Sequence, residues 1–245
     1  MYTVSGTMKS IAIIPVRLAS TRMQRKALRE IAGVPLVVRV YRAVRLSPLL
    51  DDVIVATDSS EVMKLCSGSG VKALMTSTSH RSGTERVHEI ARSLDADVYV
   101  NVQGDEPMTR PEHIVALLSV MTDASVQVGT LKTPCAPEDI KNPAAVKVVT
   151  DSSGRALYFS RAAIPFDRDA GSPCYFKHLG FYAYRKAVLE RFVALPESSL
   201  ERAERLEQLR CLENGIAIHV AQTPYDTIGV DTEEDLERVE RILKG

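Results

Sequence analysis

Apolar and polar positions along the chain alternate between two periods. Short, continuous apolar runs at residues 10–15, 52–58, 71–75 and 97–102 read as strands buried on both faces of a parallel sheet. Between them, apolar positions recur at helical spacing over 35–46, 60–67 and 83–93. Strand and helix in strict alternation predict an α/β fold: a doubly wound, mainly parallel sheet with helices on both faces. The second half is less regular. Strands are predicted at 126–133 and 145–150, and Asp151-Ser152-Ser153-Gly154 reads as a turn joining the latter to 156–160 in a hairpin. Residues 162–174 form a loop, 175–184 a strand and 186–194 a helix. A helix over 201–213 carries dense i,i+4 charge pairing, 216–221 is a strand, and a closing helix spans 232–243. Thr232 ahead of Glu233-Glu234-Asp235 is a capped start for that helix. This predicts one globular domain over 9–245, after an extension of residues 1–8, with a small mixed-sheet insertion in its middle third.

Composition narrows the class. At 245 residues the chain can bury a full α/β core. Its 31 Lys+Arg balance 31 Asp+Glu, so no basic excess points to nucleic acid or an anionic membrane as partner. The four cysteines, Cys66, Cys135, Cys174 and Cys211, are scattered without a CxxC pair and read as reduced thiols rather than a zinc site. No apolar stretch reaches the roughly 18 residues of a membrane span, and no apolar leader precedes Ile11. A cytoplasmic, non-membrane protein is expected.

Chemistry concentrates at strand ends. The run 97–102 stops at Gln103-Gly104-Asp105-Glu106-Pro107, and Thr227-Ile228-Gly229-Val230-Asp231 places a second acid in a similar setting. In open α/β sheets ligands bind beyond the carboxyl ends of strands, so Asp105 and Asp231 suit a divalent cation that carries nucleotide phosphates. The loop after the first strand holds Arg17, Ser20, Thr21, Arg22 and Lys26, enough positive charge to clamp a triphosphate. Composition alone fits a solvated loop equally well; its position after the first strand favours the clamp. Ser82, in His80-Arg81-Ser82-Gly83-Thr84-Glu85-Arg86, reads as a helix N-cap with Glu85 completing a capping box, and the free amides there suit a base or phosphate.

Gly68-Ser69-Gly70-Val71-Lys72-Ala73 matches G-x-G-x-x-G/A formally, but a helix precedes it and a strand follows, the reverse of a dinucleotide site. These glycines read instead as a helix C-cap. No P-loop sequence is present. Arg161, His178, Tyr182, Glu207 and Gln208 lie on or beside second-half elements, and singly each is more often structural than catalytic.

Together, Ile13-Ile14-Pro15 with Arg17, Ala19-Ser20-Thr21-Arg22, Ile54-Val55-Ala56-Thr57-Asp58, Ser82-Gly83-Thr84-Glu85-Arg86 and Val100-Asn101-Val102-Gln103-Gly104-Asp105-Glu106-Pro107 resemble the 3-deoxy-manno-octulosonate (KDO) cytidylyltransferases. Ala156-Leu157-Tyr158-Phe159-Ser160-Arg161, His178-Leu179-Gly180, Leu206-Glu207-Gln208 and Gly229-Val230-Asp231-Thr232 extend the likeness to the C-terminus. The resemblance implies the nucleotidyltransferase variant of the fold, a homodimer, and transfer of CMP from CTP to KDO with release of pyrophosphate, for lipopolysaccharide assembly. It implies that Arg17, Ser20, Arg22 and Lys26 grip the triphosphate and that Ser82 and Gly83 hold the cytidine. Asp105 and Asp231 would ligate Mg²⁺. Gln103, Arg161, His178, Tyr182, Glu207 and Gln208 would line the sugar pocket, within a sugar-binding and dimerisation portion at about 125–222. The first loop departs from the family's Arg-Leu-Pro-Gly-Lys-Pro-Leu: here it reads Arg22-Met23-Gln24-Arg25-Lys26-Ala27-Leu28, which loses the Pro-Gly turn and adds the Arg25 cation. The loop between Pro165 and His178 is also shorter than usual, which leaves an 8-amino analogue of KDO open as the substrate. A sialic acid cytidylyltransferase, a CTP-binding regulator without activity and, on Gly68 and Gly70 alone, a nicotinamide enzyme are the competing readings.

Overall fold

The computed structural model describes residues 8–18, 23–169, 171 and 173–244, which fall into two units. The first comprises residues up to Ile114 together with those from Thr227 onward, and the second is Val115–Asp226.

The first unit begins with β1 (Ser10–Val16), buried throughout its length. A 3-10 turn at Lys26–Leu28 leads to the hairpin β2 (Glu30–Ile31) and β3 (Val34–Pro35). Its connection, Ala32-Gly33, has φ of 48° and 72°, the paired positive values that a two-residue hairpin turn requires. Helix α1 (Leu36–Arg45) buries Leu36, Val37, Val40 and Val44, so burial of one apolar face overrides the weak helix propensity of valine. Then come β4 (Asp52–Thr57), α2 (Ser60–Gly68), β5 (Ala73–Met75), α3 (Gly83–Arg92) and β6 (Val98–Asn101). Within this unit the parallel strands run in the order β6-β1-β4-β5, with Ile13 level with both Ile54 and Asn101. The chain therefore winds from β1 toward β5 and returns to place β6 on the other side. The crevice beyond the ends of β1 and β6 is the topological switch point, where such sheets bind ligands.

Helix α2 ends as the glycine pattern predicts. Gly70 is left-handed at φ 67°, and Val71 N–H donates to the Cys66 carbonyl at 2.9 Å, closing a Schellman cap. Gly104 serves closeness instead. A Cβ there would lie 2.6 Å from Val16 Cγ2 and 3.0 Å from the Pro15 carbonyl, so the turn after β6 presses directly on the end of β1.

Helix α4 (Pro111–Val120), which the sequence reading did not place, carries the chain out of the first unit. The second unit continues with β7 (Val128–Pro134), β8 (Lys147–Thr150), β9 (Ala156–Ser160), β10 (Phe176–Tyr184), α5 (Lys186–Ala194), α6 (Ser199–Glu204), α7 (Leu209–Glu213) and β11 (Ile218–Gln222). β7 pairs antiparallel with β10 and parallel with β11, and β8 and β9 form the expected hairpin. In its turn, Asp151 Oδ1 accepts from the amides of Ser153 and Arg155, and Gly154 takes φ 82°. The single helix expected over 201–213 is two. Arg205 turns left-handed at φ 54°, and the buried Glu201 carboxylate both caps Ser198 N–H and receives the Arg210 guanidinium at 2.5 and 2.8 Å. Its main ion pair is thus i,i+9 across the break rather than i,i+4 along a helix.

From Thr227 the chain rejoins the first unit and ends in α8 (Glu233–Lys244). Thr232 caps it: its hydroxyl accepts from Asp235 N–H at 3.2 Å, while the Asp235 carboxylate accepts from Asp231 N–H and Thr232 N–H at 3.0 and 2.9 Å. Arg29 pairs with Glu233, and Glu240 accepts from Ala32 N–H at 3.0 Å, fixing α8 to the β2–β3 hairpin. Among the described residues no helix is long and apolar enough to cross a membrane.

Candidate active site

The two aspartates singled out from the sequence meet in the first unit. Val230 N–H donates to the Asp105 carbonyl at 2.9 Å, which ties the backbone of one acidic loop to the other. Lys26 stands between the side chains. Its ammonium donates to Asp105 Oδ2 at 2.6 Å and to Asp231 Oδ1 at 2.9 Å. Burial works to lower the Lys26 pKa, but Asp105 and Asp231 outweigh it and hold the ammonium above its ordinary value. The lysine is thus held as an ammonium between the two side chains.

The convergence of two carboxylates on one cation is a test of fit for a divalent ion, and the residues pass it. They supply two hard oxygen donors within hydrogen-bond reach of one point, the Lys26 ammonium, and among the described residues no third His, Cys, Asp or Glu joins them. Coordination positions then remain for phosphate oxygens and water, as Mg²⁺ prefers.

Gly83 opens α3 close to the same strand ends: a Cβ on it would sit 3.1 Å from Pro15 Cγ and 3.7 Å from Gln103 Oε1. Ser82 caps the helix, accepting from Glu85 N–H at 3.2 Å. Glu85 reaches back one residue further than a standard capping box, accepting from Arg81 N–H at 2.7 Å. Arg17 lies exposed just past β1. Ser20 and Arg22 fall outside the described residues.

Arg25 differs most from the family loop. It occupies the place of the family's glycine and adopts φ 55°, a left-handed conformation natural to glycine and strained for arginine. Its guanidinium, the cation this loop adds, pairs with Glu61 at the start of α2. Both residues line a cleft of about 850 Å³ with Gln24, Asp58 and Ser59.

The sequence reading gave Arg86 no role. It lies on the apolar side of α3, one turn before Ile90, and is 1 % exposed. It binds Asp58 Oδ2 at 2.7 Å, Thr76 Oγ1, and the Ser77 carbonyl at 3.3 Å, so α3 is pinned to the ends of β4 and β5. The visible signal was a charge on an apolar helix face, which only a buried partner can sustain.

The other expected residues sit in the second unit. Arg161 spends three of its five N–H groups on backbone carbonyls: Nε on Glu204 at 2.7 Å, Nη1 on Pro143 at 2.9 Å and Nη2 on Arg205 at 3.4 Å. Its fork is fixed, with one N–H left on each terminal nitrogen for an anion. His178 meets Thr130, whose hydroxyl donates to the Phe181 carbonyl at 2.7 Å. That hydroxyl's proton is committed, so at 2.9 Å it is His178 Nε2–H that donates to Thr130 Oγ1, leaving Nδ1 as an acceptor. Burial pushes the imidazole down to about 3, so it is neutral. The Phe181 carbonyl is exposed to Thr130 by the irregularity in β10 between Leu179 and Tyr182. The Tyr182 ring lies 5.5 Å from that of His178. Burial, the Glu207 carboxylate and Cys211 raise the phenol well above its usual range. Gln208 is 7 % exposed and its Nε2 has no partner. His178 and Tyr182 thus touch and Glu207 acts on Tyr182, while Arg161 is held through Glu204.

Residues 11–218 match the family model described as cytidylyltransferase. The chain is 66 % identical to the 3-deoxy-manno-octulosonate cytidylyltransferase of Koribacter versatilis, over 98 % of this chain and 92 % of that one. It is 58 % identical to the protein of the same name from Acidobacterium capsulatum, over 97 % and 98 %. A solved structure of CMP:2-keto-3-deoxy-manno-octonic acid synthetase complexed with CTP superposes with a TM-score of 0.92 at 41 % identity, covering 96 % of this chain and 98 % of that one. A 4-diphosphocytidyl-2C-methyl-D-erythritol synthase from Anaerococcus prevotii shares the fold, with a TM-score of 0.65 at 15 % identity and coverage of 97 % and 99 %. With two loop aspartates, one just past β6 and one just ahead of α8, meeting around Lys26 and a family match over most of its length, this chain belongs to the cytidylyltransferases.

Proposed function

We propose that the chain activates KDO: it transfers CMP from CTP to the sugar's anomeric hydroxyl and releases pyrophosphate, for lipopolysaccharide assembly. The observation that carries this reading is the convergence of Asp105 and Asp231 on one cation beyond the ends of β1 and β6. The names of the close relatives support the substrate pair.

In this reading Asp105 and Asp231 would hold Mg²⁺, and the ion, when bound, would supply charge neutralisation at the phosphate and lower the pKa of the attacking hydroxyl. The transfer spreads negative charge over phosphate oxygens, so the protein's work is positioning and electrostatic stabilisation. Arg17 and Lys26, with Ser20 and Arg22, meet the triphosphate. The α3 N-terminus at Ser82-Gly83 offers amides to the cytidine, and Gln103 joins the sugar contacts. Arg161 presents its two remaining N–H groups to the sugar carboxylate. His178 Nδ1 accepts from a sugar hydroxyl, since the ring's one N–H is already given to Thr130 and none remains for the carboxylate. Tyr182, Glu207 and the unpartnered Gln208 amide complete the polar contacts. Burial leaves His178 a weak base, its pKa pushed down to about 3, so it is poorly suited to hold a proton taken from the sugar hydroxyl.

Pyrophosphate release from CTP, Mg²⁺ and KDO, with sialic acid, 8-amino-KDO and the other nucleoside triphosphates as controls, tests the reading. Release that depends on CTP and KDO together is expected. Release without KDO, or only with another sugar, would overturn the assignment.

A further inference from the structure

Lys26 takes one oxygen from each of the two carboxylates that, in the reading above, ligate the divalent ion. A hydrogen bond of 2.6–2.9 Å and a Mg²⁺–oxygen bond of about 2.1 Å bring ammonium and dication to the same two carboxylates. At such separations the two cations repel strongly, so they compete for the shared oxygens. The backbones that carry the aspartates are tied down apart from the lysine. Val230 N–H holds the Asp105 carbonyl, and the Asp235 carboxylate holds Asp231 N–H at 3.0 Å. The lysine, by contrast, reaches them from a short 3-10 turn on a flexible four-carbon stem.

We propose that Lys26 is a displaceable internal counter-ion: it holds the two-aspartate site, yields the shared oxygens to the divalent cation, and then turns its freed ammonium to the nucleotide phosphates. This rests on Asp105 and Asp231 being the metal ligands. Metal binding alone then works against the lysine's attraction to both carboxylates. With nucleotide present the displaced ammonium gains a new partner, so metal and CTP bind with positive coupling. Lys26 would thus set the order of assembly, making the nucleotide a condition for tight metal binding.

The test uses the full chain with MnCl₂ alone, following free Mn²⁺ by electron paramagnetic resonance. Lys26→Met is expected to bind Mn²⁺ roughly tenfold or more tightly than wild type without nucleotide, because a like charge at the site is gone. Added CTP should tighten Mn²⁺ binding more in wild type than in Lys26→Met. Equal or weaker Mn²⁺ binding by Lys26→Met overturns the proposal. Should that variant fail to fold, wild type labelled with ¹³C at lysine Cε is titrated with MgCl₂, the Lys26 signal being assigned by its loss in Lys26→Arg. A shift at saturation supports displacement, and an unmoved signal overturns it. Asp105→Asn separates the two ideas. If it abolishes Mn²⁺ binding while Lys26→Met binds no more tightly than wild type, the metal assignment stands and the counter-ion role falls. Wild-type Mn²⁺ affinity in Asp105→Asn removes both.

Discussion

The backbone of Val230 is hydrogen-bonded to that of Asp105 at 2.9 Å, so two acidic loops remote in sequence are locked together independently of their side chains. Asp105→Ala and Asp231→Ala are therefore expected to remove function without removing structure. Turnover should fall by about a thousandfold or more if, as proposed, each supplies a charge that organises the reacting phosphate. Urea unfolding should move by no more than about 1 kcal/mol, because the ion pairs lost with Lys26 are partly exposed. Retention of more than a few per cent of the Mg²⁺-dependent rate would remove these residues from the metal site.

Arg25 allows backbone strain to be separated from charge. Arg25→Ala loses the exposed pair with Glu61 but keeps the left-handed φ, whereas Arg25→Gly loses the same pair and relieves the conformation. The glycine variant is expected to be the more stable of the two by about 1 kcal/mol in urea unfolding. Equal midpoints would show that the loop relaxes around alanine and stores no strain there.

Gly104→Ala tests how closely the turn after β6 must approach β1. Its Cβ would meet a backbone carbonyl and a β-branched side chain, neither of which can rotate away. A loss of about 1–3 kcal/mol is expected, with a fall in turnover larger than in a surface variant of equal stability, because the displaced turn carries Asp105. Activity that tracks stability alone would contradict that second part.

His178 predicts an acid limit to stability. Its folded-state pKa of about 3 lies below the usual value near 6.5, so the unfolded chain binds the extra proton between those values. Its contribution is complete above about pH 6.5 and is lost as pH falls toward 3, with a limiting slope near 1.4 kcal/mol per pH unit. Chemical denaturation at pH 7, 6 and 5 should show this decline. His178→Gln, whose amide can still donate to Thr130, should flatten it, and an unchanged slope in that variant would assign the decline to other groups.

Much of the first unit was legible because its strands are continuous apolar runs and its helices carry clear stripes. β1, β4 and α3 fall within a residue or two of the expected bounds, and in the second unit α5 matches its expected span. Helix α4 was missed although Pro111 at its first position and Ile114, Leu117, Leu118 and Met121 at helical spacing announce it. The β2–β3 hairpin is too short for periodicity to register, leaving Ala32-Gly33 as its only mark. The break at Arg205 was hidden because charges at i,i+4 suggest a continuous helix, whereas burial of Glu201 draws Arg210 across the gap. In the candidate site, the end of β6 located Asp105, whereas Asp231 lies ahead of α8 with no strand leading into it, contrary to the expected strand-end setting; and no sequence pattern could say that Lys26 stands between them or that Arg25 turns to Glu61. Those are matters of side-chain direction, which only the folded backbone fixes.

The return of the chain at Thr227 has a consequence for synthesis. Asp105 emerges from the ribosome long before its partner, and the whole of Val115–Asp226 is made in between. Throughout that interval the strand end that bears Asp105 has neither Val230 to bond its carbonyl nor α8 to back the neighbouring hairpin. Closing so large a loop is entropically costly and slow relative to local folding. Chains released before Val230 is made should therefore carry a folded β1–β4 core yet, in the proposed reading, be unable to retain a divalent ion, so competence waits for the segment that begins at Thr227.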